Sequence, residues 1–276
     1  MEGQIVKIIS NLYTVKVSNE LFECSARGKF RELKISPIVG DIVVINKEEC
    51  WIKEIKPRRN ELKRPVIANV DMALIITSVK KPDLSLNLLD KLLSNILFNK
   101  IEPVICFTRI DLLTFKEKLA LNKIIAYYKK IGIKVVTNKE LKKLKRIMSK
   151  KIVVLTGQTG AGKSSLINKL SKELNLATNP ISEALGRGKH TTRHVELFKI
   201  EDFYIADTPG FSSLDFDNMT EIDLKESFME FNDYECPYKD CLHENERDCA
   251  IKDAVKNKKI LKSRYDNYRK FLREVK

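Results

Sequence analysis

The octapeptide Gly157-Gln158-Thr159-Gly160-Ala161-Gly162-Lys163-Ser164 spells G-x4-G-K-S and constrains the fold more than any other stretch of the chain. It follows an apolar, β-branched run at residues 152–156 and leads into a helical run at 165–170. A phosphate-cradling loop needs this strand–loop–helix context. Glycines let backbone N–H groups converge on phosphate oxygens, and the helix N-terminus adds positive potential. Upstream, apolar runs at 72–78, 103–107 and 133–137 alternate with helical stretches at 86–98, 115–130 and 139–150. Strands apolar on both faces and separated by helices imply a parallel sheet covered by helices. Residues 195–200 and 203–206, with Glu201-Asp202 between them, read as a hairpin.

The flanks differ from this core. Residues 3–9, 12–17, 21–27, 40–45 and 50–55 read as five short strands separated by turn residues such as Asn11, Gly28 and Gly40-Asp41. Five strands in so short a span suggest a small barrel, with an OB-fold leading and an SH3-like barrel fitting the same pattern. Arg27, Lys29, Arg31 and Lys34 would place a basic loop at the barrel mouth, suited to RNA or simply solvated. Residues 57–65 hold two prolines and no apolar periodicity, and read as a linker.

The 276 residues carry a net charge of +14, which favours a polyanionic partner, although a lysine-rich composition accounts for part of it. The lack of a long apolar run excludes a membrane span, and the amino terminus lacks a secretory layout, so a cytoplasmic protein is expected. Cys24, Cys50 and Cys106 lie in strand-like runs and read as buried thiols. Cys236, Cys241 and Cys249 cluster around His243.

In the G-x4-G-K-S loop, Gly157, Gln158, Thr159, Gly160, Ala161 and Gly162 would cradle phosphates, with Ser164 and Ser165 opening the helix. Lys163 would reach the β- and γ-phosphates and Ser164 would ligate Mg2+. Asp207-Thr208-Pro209-Gly210 ends the strand at 203–206, where Asp207 can hold the Mg2+ shell and Gly210 can offer its N–H to a γ-phosphate. Between these motifs, residues 186–193 form a basic switch loop. Thr192, preferred over Thr191, would complete Mg2+ coordination.

Guanine is normally read by N-K-x-D, whose Asp accepts from N1–H and the 2-amino group; adenine offers neither donor there. Downstream of the phosphate loop no such motif occurs, but upstream stands Thr108-Arg109-Ile110-Asp111. Asp111 has the required chemistry, Arg109 could stack on the base, and Thr108 takes the place of Asn. Thr137-Asn138-Lys139 fits a second base-contacting loop.

Base motifs preceding phosphate motifs make the chain resemble the circularly permuted GTPases of the RsgA family (YjeQ/YloQ type). The likeness runs over essentially the whole chain, including a carboxy-terminal C-x4-C-x-H-x5-C pattern at Cys236, Cys241, His243 and Cys249. The departures are Thr108 and Arg109, where the family motif has Asn and Lys. The resemblance implies an OB-fold β-barrel (1–57), a linker (58–65), an α/β P-loop GTPase domain with permuted motifs (66–214) and a mostly α zinc module (215–276). It implies GTP hydrolysis, a small-ribosomal-subunit and rRNA partner bound in a nucleotide-dependent way, and action as a monomer. The rival reading is an RNA chaperone with a slow GTP-sensing domain.

Three thiolates and one imidazole complete a tetrahedral shell with no open position, so the Zn2+ would be structural. Catalysis needs an in-line water. Phe211 follows Asp207-Thr208-Pro209-Gly210 where Ras-like enzymes place Gln, so intrinsic hydrolysis should be slow. His190 in the switch loop is the polar substitute, and the resemblance gives a histidine there this role; an exposed loop residue or an rRNA contact is the alternative.

Overall fold

The computed structural model describes residues 1–26, 30, 35–63, 66–173, 196–206, 216 and 218–275. Arg27, Lys29, Arg31 and Lys34 lie outside the described residues, as do His190, Thr191, Thr192, Asp207, Gly210 and Phe211.

Five strands, β1 (Glu2–Ile9), β2 (Leu12–Val17), β3 (Glu20–Ala26), β4 (Ile42–Asn46) and β5 (Trp51–Ile55), close a barrel in the order β1-β2-β3-β5-β4. Alternation decides what points inward: Ile5, Val15, Cys24, Val43, Ile45 and Ile52 are fully buried or nearly so. The β1–β2 register slips between Ile5 and Lys7, the kind of bulge that lets a short sheet curl shut. β3 and β5 pair in parallel, as a barrel of this strand order requires.

Residues 57–65 are not wholly irregular. β6 (Glu61–Lys63) and β7 (Val66–Ala68) pair antiparallel, a two-stranded ribbon too short to rise above its prolines in the sequence. Arg58 anchors the ribbon's approach: Nε and Nη2 donate to the two oxygens of fully buried Asp41 at 2.7 and 2.8 Å. Gly40 lies at φ +91°, and a Cβ there would sit 2.0 Å from the Ala68 carbonyl oxygen. No other residue fits.

Six strands form the second sheet, in the order β10-β9-β8-β11-β13-β12. They are β8 (Met72–Ser78), β9 (Glu102–Thr108), β10 (Lys134–Thr137), β11 (Ile152–Thr156), β12 (Leu197–Ile200) and β13 (Phe203–Ala206). β10 runs parallel to β9 and β11 parallel to β13, while β12 returns antiparallel on β13. Every residue of β8 and β11 is buried, as strands covered on both faces must be. The helices are α1 (Leu86–Phe98), α2 (Phe115–Lys130), α3 (Leu141–Met148) and α4 (Lys163–Glu173). Ser85 caps α1, and Thr114 with Glu117 makes a capping box on α2.

The carboxy-terminal segment is helical: α5 (Glu221–Ser227), a 3-10 turn (Met229–Asp233), α6 (Ala250–Lys256) and α7 (Lys262–Val275). Its core is aromatic, with Phe228, Phe231, Tyr268 and Phe271 in tilted and edge-on contact. By contact density the chain divides into two compact units. One comprises residues 1–73, 141–155 and 163–212, the other 74–140, 156–162 and 213–276. Among the described residues no helix is long and apolar enough to cross a membrane.

Cys24 and Cys106 are buried, as their strand positions imply. Cys50 is exposed, because it closes the β4–β5 turn at φ +50° instead of lying in the strand.

Candidate functional site

The phosphate-loop glycines adopt the conformations that the motif exists to permit, with φ of +129° at Gly157, +76° at Gly160 and +94° at Gly162. At Gly157 a Cβ would lie 1.9 Å from the Ile76 carbonyl oxygen, so the loop passes close against β8. Ala161 is fully buried, while Thr159 and Gly160 are exposed. Lys163 and Ser164 open α4 half-buried, and Ser165 is exposed. Burial lowers the Lys163 pKa, a cost that polyphosphate would offset.

The upstream base motif meets this loop. Thr108 ends β9 buried, and its hydroxyl donates to the Ala161 carbonyl at 2.6 Å. Arg109 takes a left-handed conformation (φ +59°) and its Nη2 donates to the Gly160 carbonyl at 2.9 Å. The two residues that depart from N-K-x-D thus tie the base loop to the phosphate loop by hydrogen bonds. Arg109 is engaged with the loop backbone through this one bond. Asp111 lies exposed in the 3-10 turn Ile110–Leu112.

The second base loop is bound to the same strand end: Asn138 N–H donates to the Phe107 carbonyl at 3.0 Å, and Thr137 N–H to Glu140 Oε2 at 2.8 Å. Asn138 Oδ1 is buried without a hydrogen-bond donor among the described residues. A buried orphan acceptor beside Asp111's strand is what a polar ligand would satisfy.

The four clustered residues converge. Cys236, Cys241, His243 and Cys249 place their ligand atoms within 4.8 Å of one another. His243 Nδ1 lies 3.5, 3.3 and 3.4 Å from the sulfurs of Cys236, Cys241 and Cys249. Cys249 Sγ lies 3.9 and 4.0 Å from those of Cys236 and Cys241. His243 reaches inward from a left-handed backbone (φ +59°), its ring edge-on to Phe231. Burial, with Lys225 nearby, holds the imidazole down at about 4, so at neutral pH it is the uncharged ligand form. Burial also pushes the Cys241 thiol up to about 12, which a bound cation would reverse. The cluster can hold one metal ion.

One charged group escaped the sequence reading. Arg264 is buried with Asp90 and Glu230. The clue was legible: Arg264 shares a helical face with Tyr265, Tyr268, Phe271 and Leu272, and Asp90 falls on the stripe of Leu89, Leu93 and Ile96.

A phosphate loop and a base loop hydrogen-bonded together, the base loop coming first in the chain, define a P-loop nucleotide hydrolase of circularly permuted order. The family description RsgA GTPase matches residues 55–217, and RsgA N-terminal domain matches residues 2–51. Small ribosomal subunit biogenesis GTPase RsgA of Enterococcus faecalis is 43% identical, covering 100% of this chain and 95% of its own. RsgA 2 of Oceanobacillus iheyensis is 45% identical over 99% and 97%. YjeQ from Thermotoga maritima superposes with a TM-score of 0.86 at 32% identity, covering 99% of this chain and 98% of that one. YloQ, a circularly permuted GTPase, gives 0.84 at 35%, covering 99% and 94%. The chain belongs to the RsgA GTPase family, and the expected barrel, permuted GTPase domain and GTP hydrolysis are borne out.

Proposed function

We propose that the protein hydrolyses GTP as a nucleotide-dependent switch in maturation of the small ribosomal subunit; the names of its relatives print small ribosomal subunit biogenesis GTPase. The observation that carries the reading is the pair of bonds from Thr108 and Arg109 to the phosphate-loop carbonyls. They tie the base loop to residues 160 and 161, which supports a single site where one nucleotide meets both Asp111 and residues 157–162. Asp111 selects guanine by accepting from its N1–H and 2-amino group. Thr137 and Asn138 border the base, residues 157–162 cradle the phosphates, and Lys163 and Ser165 contact them.

Ser164, Thr192 and Asp207 would hold Mg2+, which supplies charge neutralisation on the phosphates when bound. Gly210 would offer its N–H to the γ-phosphate, and His190 would orient the attacking water. With Phe211 where a glutamine could act, turnover alone is slow and the subunit accelerates it.

The metal of the Cys/His cluster is Zn2+ in this reading. Zinc with sulfur at about 2.3 Å and nitrogen at about 2.0 Å sets tetrahedral edges of roughly 3.8 Å between sulfurs and roughly 3.5 Å between sulfur and nitrogen. Five of the six separations, 3.9–4.0 Å and 3.3–3.5 Å, lie near those edges, all six are within 4.8 Å, and four protein ligands would leave no position for a substrate. The barrel and the metal module contact rRNA, and the protein acts as a cytoplasmic monomer; the +14 charge supports a polyanionic partner.

The test is GTP turnover with and without purified small subunits, together with pelleting in GDP and in a non-hydrolysable GTP analogue across a salt series. Stimulated turnover and nucleotide-dependent pelleting are expected. Binding without stimulation would favour an RNA chaperone with a GTP sensor.

A further inference from the structure

Arg264 of α7 is 2% exposed and satisfies two carboxylates from other elements. Its Nε and Nη2 donate to Glu230 Oε1 and Oε2 at 2.8 and 2.9 Å, and Nη1 donates to Asp90 Oδ1 at 2.9 Å. Neutral donors complete the group. Tyr128 OH and Asn267 Nδ2 each reach Asp90 at 2.6 Å, and Tyr127 OH reaches Glu230 at 3.0 Å. The guanidinium also lies over the Phe228 ring, 4.3 Å from its centroid. All four carboxylate oxygens have donors.

Such a group adds little stability over a packed apolar one, but it fixes geometry, since any shift leaves a buried charge unpaired. What it fixes is informative. Asp90 belongs to α1, Tyr127 and Tyr128 to the last turn of α2, Glu230 to the 3-10 turn, and Arg264 and Asn267 to α7. At its other end α2 begins four residues after Asp111, its first turn held by the Thr114–Glu117 box and by Lys80, which bonds Glu117 at 2.8 Å. From α7, Tyr265 OH donates to the His243 carbonyl and Tyr268 OH to the Leu242 carbonyl, both at 2.7 Å. A series of directed contacts therefore runs from the Cys/His loop through α7 and Arg264 to α2, whose N-terminus is joined by the chain to the turn that carries Asp111.

We propose that the Arg264–Asp90–Glu230 group couples metal ligation at Cys236, Cys241, His243 and Cys249 to guanine-nucleotide binding at Asp111. Arg264 is a positioning residue: it orients α2, and α2 orients the turn that carries Asp111. The proposal rests on the guanine reading above but needs no ribosome. Coupling is reciprocal, so the factor by which nucleotide tightens the metal equals the factor by which metal tightens the nucleotide.

The test loads the full-length protein with Zn2+ and follows its extraction by the chromogenic chelator 4-(2-pyridylazo)resorcinol, with and without saturating GDP. Circular dichroism confirms that the fold persists during extraction. In the wild type GDP should slow extraction about tenfold, the size expected if an affinity coupling in the usual range of roughly 5–150-fold falls on metal release. Arg264→Met alone strands two buried carboxylates and endangers folding, so the informative variant is the triple R264M/D90N/E230Q, which removes all three charges together. It should stay folded, bind GDP and Zn2+ separately, and release the metal at a GDP-independent rate. Equal extraction rates in the wild type with and without GDP would overturn the proposal, as would a triple variant that keeps the full GDP effect or that fails to fold. A wild type that does not bind GDP at all would instead remove the functional reading.

Discussion

Replacing Thr108 by Val isolates one atom of the proposed nucleotide site. Val nearly matches Thr in shape and removes only the hydroxyl that donates to the Ala161 carbonyl at 2.6 Å. Both residues are buried, so water cannot readily replace the lost donor. Leaving a buried acceptor unsatisfied costs about 1–3 kcal/mol. Part of this falls on overall stability. The rest falls on nucleotide affinity, because the base and phosphate loops must stay in register to share one ligand. About 1.4 kcal/mol on that side corresponds to a roughly tenfold weaker Kd. The assay is titration with a fluorescent GDP analogue beside a urea melt, with turnover at saturating GTP as a third reading. Turnover at saturation should change little, since the hydroxyl touches the loop backbone and no reacting atom. Thr108→Asn carries an amide donor and should bind GDP more tightly than T108V. If T108V bound GDP within twofold of wild type, or T108N bound more weakly than T108V, the two loops would not depend on this bond.

Asp111→Asn turns one of two acceptors into a donor facing the donors of guanine, so GDP affinity should fall by at least about 100-fold, while a fluorescent xanthosine diphosphate should bind better than it does to wild type. Lys163→Ala removes the cation proposed to meet the phosphates and should abolish measurable GDP and GTP binding in the same titration. His190→Ala should lower turnover and leave GDP affinity nearly unchanged; equal loss of both would take His190 out of catalysis. Gly157→Ala puts a Cβ 1.9 Å from the Ile76 carbonyl oxygen at φ +129°, so urea denaturation should reveal a loss of at least about 3 kcal/mol.

What could be read in the chain was what depends on near neighbours. The phosphate loop is eight consecutive residues whose meaning lies in their own backbone, and the four metal ligands lie within fourteen. The barrel was legible because alternation is local, with Val15 inward and Lys16 outward. The β6–β7 ribbon was not, since three-residue strands beside Pro57 and Pro65 give no periodic signal. Thr108 and Arg109 looked like weakened copies of Asn and Lys. Their partners, Ala161 and Gly160, lie about fifty residues away, and only folding supplies the carbonyls that give these side chains a use. Arg264 is the same problem with charge: its two carboxylates come from positions 90 and 230, which no spacing rule connects.

The permuted order gives that last contact its weight. In the chain the metal module follows Asp207-Thr208-Pro209-Gly210, so it is covalently tethered to the segment expected to sense the γ-phosphate. Through Arg264, Tyr127 and Tyr128 it is also fastened to α1 and α2, the helices around the base-reading strand β9. An unpermuted chain carrying the same module after its last helix would have it tethered next to the base side alone. Here one module has a covalent link to the segment proposed to sense the γ-phosphate and a buried ionic link to Asp90 of α1. The triple R264M/D90N/E230Q should therefore change how nucleotide and metal affect each other before it changes hydrolysis, because none of the three residues touches a reacting atom.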